Sequence, residues 1–180
     1  MAAICTETSG QLFKLPLPVA MGEGIYRSLT CDQKMLYALL LSKHSLSQRR
    51  DASNEPFLIL PRTEMIEAVG MAINTATRAM RALASAGLLR EKHQGNGEPN
   101  RIYLTEFLDP EMRRFFMIPA SLYGTGAPEM SSVEKMAICY LCHKRLLQGN
   151  EECIEHGLHK VECTRQELAP VLSVNLRGVF

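Results

Sequence analysis

Apolar residues recur at helical spacing from Thr30 to His44, where Met35, Leu36, Leu39 and Leu40 form one stripe and Asp32, Gln33 and Lys43 fall outside it. Thr30 followed three residues later by Gln33 is a capping-box pattern, in which each side chain accepts from the other's exposed backbone donor, so the helix begins there. A polar stretch, 45–55, leads to Phe57-Leu58-Ile59-Leu60, a short apolar run closed by Pro61 that suits an edge or first strand of a small sheet. Met65, Ile66 and Val69 then mark the apolar side of a short helix. Gly70 ends it, because the residue after a helix often takes the left-handed conformation, and Met71 plugs the turn. A second helix is predicted over Ile73 to Ala86, with Ala76, Met80 and Leu83 inward and Gly87 at its end. Two helices joined by a short glycine-containing turn make a helix-turn-helix. Leu88 to Lys92 and Arg101 to Thr105 read as returning strands, with Gln94 to Asn100 as the loop between them. The order helix, strand, helix, helix, strand, loop, strand is that of a winged helix, and the loop is its wing.

The chain also repeats itself. Phe13-Lys14-Leu15-Pro16 recurs as Phe116-Met117-Ile118-Pro119, residues 29–40 as 130–141, and 61–71 as 164–174, with offsets of 101 to 103 throughout. The expected fold is mainly α with small β-hairpins, an α+β tandem of winged helix-turn-helix units at 11–108 and 113–180. The second copy aligns only as far as Thr77 of the first, so it is expected to be incomplete, without most of a third helix or a wing. Pro170 falls inside its second helix, where a missing donor and a ring clash cost about 3 kcal/mol.

With the core-facing positions of the second helix-turn-helix helix assigned, Asn74, Thr75, Thr77, Arg78 and Arg81 are left outward. An arginine fork matches guanine, an asparagine amide matches adenine, and threonine hydroxyls suit the backbone. A merely solvated face is the alternative. Residues 72–101 carry Arg78, Arg81, Arg90, Lys92 and Arg101 against Glu91 and Glu98, a local excess that makes duplex affinity fall with salt. In the wing, Gly95 and Gly97 let the backbone approach a phosphate chain closely, while Gln94, Asn96, Asn100 and Arg101 supply donors. An ordinary hairpin loop has the same composition.

Totals change this picture little. The net charge of +1 says nothing, so any electrostatic footprint is local. No stretch approaches the ~18 apolar residues of a membrane helix, and the start has neither the basic nor the apolar region of a secretory signal, which points to the cytoplasm and no membrane partner. Cys139, Cys142, Cys153, His156, His159 and Cys163 invite a zinc reading, but their spacing matches no standard module, and Cys139 and Cys142 align with Ala38 and Leu41 on or beside a packed stripe. Small buried thiols explain them, and neither metal nor cofactor is expected. No Ser-His-acid grouping, phosphate-cradling glycine loop or H-E-x-x-H occurs, so no enzyme is expected.

Residues 11–107 resemble the N-terminal domain of the replication initiator protein A family, carried on plasmids of Gram-positive bacteria. The likeness lies in Phe13-Lys14-Leu15-Pro16, Tyr26 to Thr30, Asp32 to Leu41, Leu46-Ser47 and above all Gly95-Asn96-Gly97-Glu98-Pro99-Asn100-Arg101-Ile102-Tyr103-Leu104. The resemblance implies a winged helix that binds repeated double-stranded DNA sites at a plasmid origin, often as a homodimer, and helps recruit host replication proteins. It places Thr75, Thr77, Arg78 and Arg81 on the recognition helix and Gln94 to Arg101 on the wing. Pro61 and Ala72 depart from the usual helix starts, and the tandem copy is not part of the likeness. A winged-helix transcriptional regulator, or an interaction and dimerisation module without DNA contact, are the other readings.

Overall fold

The computed structural model describes residues 11–95, 97–105, 112, 114–124, 129–148, 154–155, 158–159 and 161–173. Its axis is α2, Cys31–Ser45, whose start is held as expected: Gln33 N donates to Thr30 Oγ1 at 3.4 Å and Thr30 N to Gln33 Oε1 at 3.0 Å. The single apolar stripe expected there is not what forms. From Lys34 to Leu40 every residue is buried, because elements of both halves close around the helix, and a helix covered on all sides shows no polar face.

Before α2 come β1, Leu12–Pro16, and the short α1, Leu17–Met21. After it, β2 (Leu58–Ile59), α3 (Arg62–Val69), α4 (Ile73–Ser85), β3 (Leu89–Lys92) and β4 (Arg101–Leu104) build the winged unit, its three strands ordered β2-β4-β3. Gly70 sits at φ 78° between α3 and α4, where a Cβ would be strained, and buried Met71 fills the turn. Neither α3 nor α4 has a side-chain N-cap, as Pro61 and Ala72 dictate.

The second copy starts with β5, Phe115–Pro119, and continues through α5 (Ser132–Gln148), the hairpin β6 (Ile154–Glu155) and β7 (Leu158–His159), and α6 (Arg165–Leu172). Pro170 does not interrupt α6. The helix ends two residues later, at Leu172, with a left-handed Ser173 as its cap, so the proline costs one carbonyl a partner but has almost no helix left to break. One cluster of buried apolar residues runs from Phe13 through Met35, Met80 and Met136 to Val171, so the two copies share a core. Of the expected boundary, 109–112, residues 109–111 lie outside the described residues, and Met112 is buried in the shared core. Among the described residues no helix is long and apolar enough to cross a membrane.

Candidate nucleic-acid interface

Helix α4 buries Ala76, Ala79, Met80 and Leu83, with Met80 and Leu83 fully enclosed. That periodicity turns Asn74, Arg78 and Arg81 outward, all exposed, with Thr75 and Thr77 half-buried beside them. Arg78 is therefore not drawn inward against Met80. Thr77 is less available than its position suggests: its Oγ1 donates to Ile73 O at 3.1 Å, the back-bond that short hydroxyl side chains make within a helix. Ile73, at the helix start, is 55% exposed.

The wing strands follow directly. Leu88 N donates to Leu83 O at 3.0 Å and Gly87 N to Ala84 O at 3.0 Å, tying the end of α4 to the start of β3. Arg62, in the first turn of α3, bonds Glu91 of β3 at 2.7 Å, a pair that clips the helix-turn-helix to the hairpin. Nothing local in the sequence marks that pair, because its partners lie 29 residues apart.

The wing's own polar residues mostly hold one another. Gln94 Nε2 donates to Pro99 O at 2.6 Å, and its Oε1 accepts from Arg101 Nε at 2.8 Å. His93 Nδ1 lies 2.8 Å from Asn100 Oδ1. Gly95 and Gly97 take φ of 76° and 78°, and Glu98 N closes the turn onto Gly95 O at 3.0 Å. Asn96 lies outside the described residues.

Arg90 and Arg101 are arranged differently from the arginines of α4. The Arg90 guanidinium stacks 3.7 Å above the Tyr103 ring and pairs with Glu55, while Arg101 lies 4.8 Å above Phe57. Phe57 and Tyr103 themselves meet at 5.8 Å. Tyr103 Oη donates to Asp51 Oδ2 at 3.1 Å, and Asp51 Oδ1 accepts from Ser53 N and Glu55 N. Those backbone donors, led by Glu55 N, pull the Asp51 carboxyl below its ordinary range. Two of the expected site residues thus brace the loop 46–57 against the sheet. Lys92 is exposed at the end of β3. Reading the sequence alone misses Asp51, Glu55, Phe57, Tyr103, Arg62 and Glu91, whose roles exist only once the hairpin and the loop meet.

Cys139 is buried and Cys142 half-buried on α5, and Cys163 precedes α6. Among the described residues no group of three His, Cys, Asp or Glu side chains is placed to hold a metal ion. Cys153, His156 and the side chain of His159 lie outside the described residues.

A helix-turn-helix whose second helix projects an open basic face, followed by a hairpin with a glycine-hinged tip, defines a winged-helix DNA-binding protein. The model for the N-terminus of replication initiator protein A (RepA) matches residues 11–116, more than half the chain, and the chain belongs to that family of replication initiators. It is also similar to three solved structures. One described as "N-Terminal domain of DNA binding protein" shares 24% identity over 52% of this chain and 75% of that one, with a TM-score of 0.45. A "Structure of Rep-DNA complex" shares 24% over 56% and 80%, TM-score 0.48, and a "Structure of MDR initiator" 21% over 56% and 80%, TM-score 0.46. No curated protein sequence matches it.

Proposed function

We propose that the chain initiates replication of a plasmid or mobile element by reading repeated double-stranded sites at its origin. The observation that carries this reading is the outward face of α4, where Asn74, Arg78 and Arg81 stand exposed in a chain of the initiator family. Arg78 and Arg81 supply the bidentate forks and phosphate contacts, Asn74 and Thr75 the neutral donors, and Lys92 with the wing tip, Gln94 to Asn100, a flanking contact. Arg90 and Arg101 support the wing from behind. The protein acts in the cytoplasm without catalysis, metal or cofactor of its own, and helps recruit host replication proteins. On repeated sites a second copy of the chain joins it.

Fluorescence anisotropy against duplexes from the replicon that carries the gene, beside scrambled duplexes of equal length, tests the proposal. Binding at least ~100-fold tighter to one native repeat, falling steeply with salt, is the expected result. Equal, weak binding to native and scrambled duplex removes the specific-initiator reading. Unchanged nucleic-acid binding after charge reversal at Arg78 and Arg81 turns it toward a protein-interaction module.

A further inference from the structure

The two copies are related by an approximate twofold axis that the hydrogen bonds themselves display. In the antiparallel β1–β5 ladder Phe13 faces Ile118 and Leu15 faces Phe116, while Lys14 faces its own repeat equivalent, Met117. Beside the ladder, Leu17 N donates to Arg114 O at 2.8 Å and Ala120 N to Gln11 O at 2.9 Å. Leu17 and Ala120 are equivalent at the repeat offset, and so are Gln11 and Arg114. Each half makes to the other the bond it receives. That reciprocity is the signature of an isologous contact between two like subunits.

The exchange extends to the helix ends. The repeat aligns α3 with α6, Ala68 with Val171, and Gly70 with Ser173, and both of the last pair adopt φ above zero. From the second copy, Gly124 N donates to Ala68 O at 2.7 Å, at the end of the helix that leads into the recognition helix. From the first copy, Lys34 Nζ, fully buried, donates to Val171 O at 2.9 Å, Pro170 O at 2.8 Å and Ala20 O at 3.1 Å. An ammonium at a helix C-terminus faces the negative end of its dipole and satisfies carbonyls that have no partner in the helix. Cys31 Sγ, 3.4 Å from Leu172 O, and Ser173 Oγ, which donates to Leu29 O, complete the clasp. Gly22 is shaped to it: a Cβ there would lie 2.9 Å from Pro170 O. On the other side, Tyr123 Oη donates to Met35 O at 3.1 Å and its ring meets Phe13 at 4.6 Å.

We infer that residues 115–173 serve as a built-in partner: a second copy of the fold that occupies the place of another subunit, grips the end of α3, and so fixes the recognition helix. The DNA-reading unit then runs to residue 173, whereas the match to the family's N-terminal model stops at 116, inside β5. The surface by which the two halves pair is filled within the chain, so a second chain on repeated sites must use another face. This rests on the winged-helix reading of α4, but its test needs no DNA.

Amide hydrogen exchange of the full chain, followed by mass spectrometry, compares the parent with Lys34→Met, with Tyr123→Ala, and with both changes together. The expected result is exchange about 10-fold faster or more in α6 and, together with it, in the end of α3 and in α4. Variants so weakened that all three helices lose protection at once support the inference equally, since the halves then open as one. Faster exchange in α6 with α3 and α4 at parental rates overturns it. So does parental protection of α6 in the double variant, which would show that the seam is held by other contacts.

Discussion

The recognition helix and the wing strands carry the same residue, arginine, to opposite ends. On α4, Arg78 and Arg81 stand exposed, held by neither a carboxylate nor an aromatic ring among the described residues. On the hairpin, Arg90 rests on Tyr103 and pairs with Glu55, and Arg101 rests on Phe57 and bonds Gln94. A guanidinium in water keeps its charge available to a phosphate, whereas one stacked on a ring and paired with an acid has already given up part of its hydration to hold a fold. On the proposed reading, local charge therefore overstates the charge offered to DNA. Of the five Lys and Arg residues between 72 and 101, Arg78, Arg81 and Lys92 are exposed and carry no ring contact among the described residues, and these are the three we propose meet the duplex.

The sharpest way to break this contrast is to reverse both helix arginines. Arg78→Glu with Arg81→Glu is expected to weaken duplex binding about 1,000-fold and to lower the salt-dependence slope by about 2, with the melting temperature unchanged. Titrations at several salt concentrations check it. An intact slope would mean that neither side chain meets a phosphate.

Arg90→Ala should do the reverse. Loss of the ring contact and of an exposed ion pair lowers stability by about 1 kcal/mol, read by urea unfolding, while the slope stays near the parental value. A large drop in the slope with stability unchanged would place Arg90 on DNA after all.

A third cation gives a stability effect confined to a pH window. Burial holds the Lys34 ammonium down from 10.5 to about 8, so from pH 8 upward the unfolded chain binds a proton that the folded chain does not. Folding stability from this group therefore rises with pH, by about 1 kcal/mol between pH 8 and 9. Above pH 9 Cys31 opposes it: burial pushes that thiol up to about 11, and the unfolded chain ionises first. Denaturant melts across pH 7 to 9 should show the rise in the parent and its loss in Lys34→Met.

The smallest effect is at Thr77. With its hydroxyl already bonded to Ile73 O, Thr77→Val should change duplex affinity less than about 2-fold, whereas the same change at Thr75 is expected to cost more, and the two anisotropy titrations can be read side by side.

Much of this was legible in the residues. The capping box at Thr30, the stop at Gly70, the plug at Met71, the inward set Ala76, Met80 and Leu83, and the glycines of the wing all act within a few residues of themselves, through backbone geometry and helical period. The internal repeat announced two copies of one fold, because equivalent folds need equivalent apolar positions. What the sequence could not decide by itself was anything set by residues distant along the chain. Arg90 became a brace only when Tyr103 and Glu55 were brought under it. Helix α2 lost its polar face only when the second copy closed over it. Lys34, which looks like a surface lysine, became the cap of a helix that begins 131 residues later, at Arg165. Short-range chemistry is written in order along a chain, but burial and pairing depend on which surfaces meet, and that is settled only when the whole core forms.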